Sequence, residues 1–434
     1  MKLQSLSARL ISYGLVGIVC AGVYATVLIV LERLIPIWLA NPLAFLFASL
    51  IGSLGHSKYT FQNETGGNTF ARRWVVAQYL INIAVCSILP LLLAKSLGSS
   101  TRLLILVFTP TILNALIWSQ AARFSARRLL NRGLPPKIHA DDLGLSGATN
   151  QAILQLAAEG KLDGASLLVN GVSSKEGARD WKGLERENPH LELCLHLCLT
   201  EGPSSAAQEI VPDLINKQGY LKLSFGQWLL LSVLPPVFPF KRRIRRQLKE
   251  EVKAQIHQYR NLTGKQQIHL DGHQHIHLVP IVLGCILDEA CQSEITWIRS
   301  TREPFPAGLP LKYWWQAWHH LGHLKWLILQ ILSLNAIHPL RRNHISTNSR
   351  FAGVLFTGKM TNKPLLACWR ELSCFRNNSR ASPSILLAHP GGSLAIDLHA
   401  AGFHVSHQFA ASEWRQKEWN ALNSFNPNHI FPCK

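Results

Sequence analysis

The chain has 434 residues, of which 47% are hydrophobic and only 16% charged. That balance excludes a disordered chain, and the length suits about two or three domains with a large buried core. The formal net charge is +19, and residues 1–133 carry twelve Lys or Arg against two acids, Glu32 and Glu64. This third is basic because acids are scarce, not because cations run together. That excludes a nucleic-acid-binding arm and points to membrane segments with cationic loops. The nine Cys are scattered, so no disulfide framework is implied and a reducing compartment is expected.

Four uncharged apolar segments come first: Ile11–Leu31, Leu34–Gly55, Trp74–Ala94 and Leu103–Ala122. Each is long enough as a helix to cross about 30 Å of hydrocarbon. No small-residue cleavage site precedes the second, so a removable leader is not expected. Lys2, Arg9, Lys58, Arg72, Arg73, Arg123, Arg127, Arg128 and Arg132 fall on one side, against Arg33, Lys95 and Arg102 on the other. The bias predicts a multi-pass inner-membrane protein with both termini, and all residues after 133, in the cytoplasm. Asn41 and Asn114 lie within apolar stretches. They read either as a polar headgroup site or as hydrogen bonds between helices. The early RLISYGLVG, the segment NPLAFLFASLIGSLGHSKYTFQ and the fourth helix resemble the GtrA-like family. That resemblance implies a link to the movement of polyprenyl-phosphate sugars.

Composition shifts at Arg132-Gly133-Leu134-Pro135-Pro136, because Pro-Pro cannot continue a helix. The boundary divides the chain into a membrane domain, 1–133, and a soluble α/β domain, 134–434. Lys137–Asn170 has a β–loop–α–β rhythm with Ser146 at an N-cap position, which puts Asp141 and Asp142 at the end of a strand. Such ends carry the chemistry in barrel and doubly wound folds, although adjacent Asp residues also suit a turn or an N-cap. Leu191–Gly202 alternates as a strand with Cys194, His196 and Cys198 on one face. One strand rarely supplies three ligands to one ion, so a zinc site made by those three is disfavoured. In Gln267–Pro280, His269, Asp271, His273, His275 and His277 occupy alternate positions. If the segment is extended, one face is nearly all imidazole and carboxylate, which a bound cation explains. Ser384–Gly392 then places His389 at the end of an apolar strand. Asp141, Asp142, His196, His273 and His389 thus form a metal site with a spare carboxylate and a spare imidazole, a composition suited to metal-assisted hydrolysis.

HADDLGLS, CLHLCLT, HLDGHQHIH and AHPGG, in this order, resemble the YdjC/ChbG family of carbohydrate deacetylases, which has a hopanoid-associated HpnK branch. The resemblance covers about residues 137–425. It implies a (β/α) barrel-like fold related to polysaccharide deacetylases and removal of an N-acetyl group from an amino sugar. It further implies Asp142, His196 and His273 as ligands of a divalent ion (Mg²⁺ or Zn²⁺), Asp141 as the base and His389 as the acid. In an extended strand, successive side chains diverge, so only one of the two Asp residues is expected against the ion. Leu143, Cys194, Ile385 and Ala388 depart from the family pattern and bear on the substrate rather than on the chemistry.

Two apolar insertions, Phe225–Phe240 and Leu311–Ile337, carry Trp residues and adjoin cations, which suits a membrane interface; a core or lid role is the other reading. Arg299, in ITWIRS, is a candidate contact to the sugar or its phosphate. The expected partners are an N-acetylated amino sugar, lipid-linked, and membrane lipid, with no nucleic acid; a homo-oligomer is left open. The contrasting expectation is a membrane carrier or scaffold whose soluble domain only binds glycan.

Overall fold

In the computed structural model the chain divides into two compact units, the first ending at Arg132 and the second opening at Gly133. The structure describes residues 6–426 apart from 66–68, 93–98, 131–134, 236, 291–293, 307, 320, 374–382, 392–397, 399 and 411.

The first unit has four long helices, Leu6–Leu31, Ile37–Gly55, Arg72–Leu92 and Ser99–Leu130. Among the described residues, one helix, Arg9–Leu31, is long and apolar enough to cross a bilayer. Its Leu10, Ile11, Leu15 and Ile18 are exposed. A polar knot joins the last two helices. Gln78 Nε2 and Asn82 Nδ2 donate to Asn114 Oδ1 at 3.0 and 2.8 Å. Asn114 therefore makes hydrogen bonds between helices. Asn41 lies in the second helix, and its side chain falls outside the described residues.

The second unit is built on seven parallel strands: β1 (Lys137–Leu143), β2 (Gly164–Leu167), β3 (Glu192–Leu197), β4 (Ile268–Gly272), β5 (Ile295–Ile298), β6 (Phe351–Ala352) and β7 (Ile385–Ala388). Their order is β5-β4-β3-β2-β1-β7-β6. Pairing of β7 with β1 brings the last strand of the unit beside the first, so the strands follow one another around a barrel. The ladder opens between β5 and β6. There Ser346 bridges Trp297, and Asn348 grips the backbone N–H and carbonyl of Ser300 at 2.7 and 2.9 Å. The result is an opened (β/α) barrel. Parallel strands require crossovers, and helices Gly147–Ala158, Ser174–Glu187 and Pro239–Thr263 supply the first three. Ser146 caps the first of these by accepting from the Thr149 N–H at 3.2 Å. Trp181, Tyr259 and Phe351 are fully buried in the core. The apolar insertions form helices Phe225–Val233, Leu311–His319 and Gly322–Arg342.

Candidate active site

Side chains of β1, β3 and β4, and of residues just past their ends, converge at the C-terminal ends of the strands. Asp141 and Asp142 are the fifth and sixth residues of β1. Asp142 has φ 71°, in the left-handed region. That turn cancels the expected divergence of neighbouring side chains. His196 Nε2 lies 3.9 Å from Asp141 Oδ2 and 3.6 Å from Asp142 Oδ1, so both carboxylates face the same imidazole. Gly144 follows at φ 93°. A Cβ there would come within 2.8 Å of the Leu168 carbonyl, so the turn packs closely against β2.

β3 supplies His196, and β4 ends at Gly272, just before His273. The extended reading of Gln267–Pro280 is corrected here. His273–Leu278 is a 3₁₀ turn with positive φ at Gln274 and His275, so the histidines do not share a strand face. His277 Nε2 is 2.9 Å from the Arg299 carbonyl oxygen, and the His275 ring meets Phe351 edge-on. His269 packs beside Trp297. Only His273 turns into the centre. Its Nδ1 is 3.1 Å from Asp142 Oδ1.

Asp142, His196 and His273 are buried and bring one donor atom each within 4.8 Å of one another, a set able to hold a metal ion. Both imidazoles are held from behind. His196 Nδ1 lies 2.5 Å from Asp271 Oδ1, and His273 Nε2 lies 2.7 Å from Glu201 Oε1. A carboxylate behind a liganding His fixes its tautomer and aim. Glu201 is itself steadied by the Ser406 hydroxyl and the Val405 N–H. Two further donor groupings, His139–Cys194–Asp271 and Asp141–His196–Asp271, share Asp271 with this layer. Cys198 donates to the Glu201 carbonyl.

Two buried guanidinium groups complete the centre. Arg299 Nη1 donates to both oxygens of Asp141 at 2.9 and 2.8 Å, and Nη2 pairs with Asp271. Arg299 is fully buried. Arg415, from helix Glu413–Asn423, pairs with Asp142 Oδ2 and leaves Oδ1 to the histidines. Burial pushes the Asp141 carboxyl up, against the pull of Arg299. Burial also opposes ionisation of Asp142, but Arg415 and His273 hold its carboxyl well below the usual range. Four buried carboxylates (Asp141, Asp142, Glu201, Asp271) face two buried guanidiniums. Burial disfavours a proton on His273, yet Cys198, Asp142 and Glu201 raise its pKa well above the usual imidazole value. A cation held by the triad would displace that proton.

His389 follows β7, which neighbours β1. Its backbone N–H donates to Glu418 Oε2 at 2.6 Å. Its side chain is 13% exposed, against 1% for His196. Burial lowers its pKa to about 3, with Asp142 opposing and Arg415 adding to the shift. Ser166 Oγ joins this layer, donating to Asp271 Oδ2 at 2.5 Å and accepting from Arg299 Nη2 at 3.1 Å. The supporting roles of Asp271, Glu201, Ser166, Arg415 and Glu418 are not assigned from sequence. Asp271 and Glu201 lie inside the quoted motifs, and their neighbourhood was the available signal. Arg415 is 273 residues from its partner and gave none.

Residues 137–427 match the family model described as YdjC-like protein. The residues before 137 lie outside that match. A Mus musculus protein named carbohydrate deacetylase is 27% identical over 58% of this chain and 77% of its own. A Serratia marcescens chitooligosaccharide deacetylase is 29% identical over 33% of this chain and 50% of its own. An Enterococcus faecalis V583 crystal structure, described as a candidate cellobiose-phosphate cleavage protein, has 17% identity and a TM-score of 0.43 over 66% of this chain and 90% of its own. The barrel, the converging Asp and His residues and the length of the family match together define the kinship: this chain belongs to the YdjC-like protein family.

Proposed function

We propose that the chain is a membrane-anchored, metal-dependent carbohydrate deacetylase. In this reading residues 134–434 remove the N-acetyl group of an amino sugar carried on a lipid, and residues 1–133 anchor them. The observation that carries the reaction is a buried donor triad, Asp142, His196 and His273, beside an arginine-held carboxylate, Asp141. The names of the relatives support the substrate class.

A divalent ion, Mg²⁺ or Zn²⁺, held by the triad would supply Lewis-acid polarisation of the acetyl carbonyl and of water. Asp141 lies next to His196 without belonging to that triad. Its carboxylate takes the proton of the attacking water, and Arg299 fixes its angle. Arg299 is therefore a positioning residue in this scheme rather than a contact to sugar. His389, more exposed than His196, is the acid for the departing amine; with its pKa lowered to about 3 it is neutral at rest, so the proton it delivers is one first taken from the attacking water. That nitrogen leaves as the free amine of the sugar, and the acyl group leaves as acetate.

Membrane attachment rests on the helix Arg9–Leu31 and on the nine-to-three bias of Lys and Arg in the loops. The same bias supports the cytoplasmic leaflet as the side of the catalytic unit. The experiment is metal analysis of the purified chain. Wild type carries about one divalent ion per chain, and His196→Ala and His273→Ala lose it, because each removes one of three protein ligands. Undiminished metal in both variants overturns the ligand set.

A further inference from the structure

Helix Gly322–Arg342 is apolar on two faces. Trp326, Leu329 and Ala336 turn inward and pack with the core of the catalytic unit. Leu324, Leu327, Ile331 and Leu334 form a second stripe at helical spacing and stay 49% to 58% exposed. On helix Leu311–His319, Ala317 is buried, while Trp315 and Trp318 are 64% and 65% exposed. The other insertion repeats the pattern. Trp228 and Leu231 are buried, whereas Leu230, Val233, Val237, Phe238 and Phe240 are exposed. Helices Phe225–Val233 and Gly322–Arg342 both pack on helix Pro280–Ala290, so the two insertions flank a common element of the unit. A soluble surface rarely exposes so many large apolar side chains together.

Cations adjoin this face. Lys241, Arg242, Arg243, Arg245 and Arg246 follow Phe240 directly, and the next acid is Glu250. Arg243 and Arg245 hold surface partners, Asp213 and Asp288, yet the run keeps a positive excess. Exposed Trp beside aliphatic stripes and clustered Arg is the composition of an interfacial membrane surface. An isologous contact with a second copy would pair this cationic run with itself, whereas an anionic bilayer complements it.

The face borders the site end of the barrel. The Thr301 N–H donates to Ser333 Oγ at 2.9 Å, and Trp326 Nε1 donates to the Glu303 carbonyl at 2.9 Å. Thr301 and Glu303 come just after Arg299. Trp228 Nε1 likewise donates to the carbonyl of Leu199, just past β3, at 3.1 Å.

We propose that the catalytic unit docks through these exposed stripes onto an anionic bilayer, with the mouth of the barrel at the lipid surface. Docking does not depend on the reaction assigned above. Only its use, presenting a lipid-borne sugar to the site, rests on that reading.

The test uses the full chain reconstituted in phosphatidylglycerol vesicles. The photo-cross-linker p-benzoylphenylalanine replaces Trp318, Leu327 or Ile331 one at a time, and replaces Glu187, exposed just before β3 at the end of the barrel opposite the site, as the control. Lipid adducts identified by mass spectrometry at the first three positions, well above the Glu187 level, are the expected result. Cross-links to a second copy or to another part of the chain overturn the proposal. So do adduct yields equal to the control. Lys241→Gln combined with Arg246→Gln lowers the yield roughly ten-fold or more. An unchanged yield in that variant overturns the anionic partner. Failure of the deacetylase reading would leave all of these cross-links in place, so the two claims fail separately.

Discussion

Asp141 and Asp142 are chemically identical neighbours with different partners. Asp141 is held by Arg299 through both oxygens, while Asp142 divides its oxygens between Arg415 and the two histidines. Asp141→Asn keeps the shape and the donor triad but removes the proton acceptor. We expect kcat to fall about 10²–10⁴-fold with metal content unchanged, measured by acetate release alongside metal analysis. Asp142→Asn should instead lose metal and recover part of its rate in excess metal. The opposite pattern would exchange the two roles. One layer out, Asp271→Asn and Glu201→Gln leave the triad complete but weaken its support. Calorimetric titration with Zn²⁺ should show affinity lower by about 10–100-fold in each. Affinity equal to wild type would reduce these carboxylates to structural parts.

At the scale of elements, the turn after β1 sets the site. Gly144→Ala forces a Cβ against the Leu168 carbonyl and the Ser174 Cα at positive φ. The expected loss is about 1–3 kcal/mol in thermal unfolding, and a retained midpoint would show that the backbone relaxes there. Much of this was legible beforehand. The alternation of β3 gave His196, the apolar run of β7 gave His389, and Ser146 announced the first crossover helix. What misled was β4. Alternating His and Asp suggested a continuous strand, but backbone dihedrals are not written in hydrophobic period, and positive φ at Gln274 and His275 turns the chain after Gly272. The same limit applies to Asp142, whose left-handed conformation brings two carboxylates onto one imidazole. Arg299 was visible only as an Arg at the end of a strand. Its burial between Asp141 and Asp271 depends on packing across the barrel interior.

For the whole molecule, the proposal is a catalytic barrel anchored by the residues before it. A reporter fused after Arg132 should be active only in the cytoplasm, as the cationic loops require; periplasmic activity would reverse the orientation. The central claim is hydrolysis of an N-acetylated amino sugar by the Asp and His centre, with a divalent ion needed. The direct measurement is acetate release from an N-acetylated chitooligosaccharide, and from lipid-linked N-acetylamino sugars, by the purified full chain. It is run before chelation, after chelation and after return of Mg²⁺ or Zn²⁺, with Asp141→Asn in parallel. The account predicts release that stops on chelation, returns with metal and is nearly absent in Asp141→Asn. Release that survives both chelation and Asp141→Asn, or no release from any of these sugars, would contradict it.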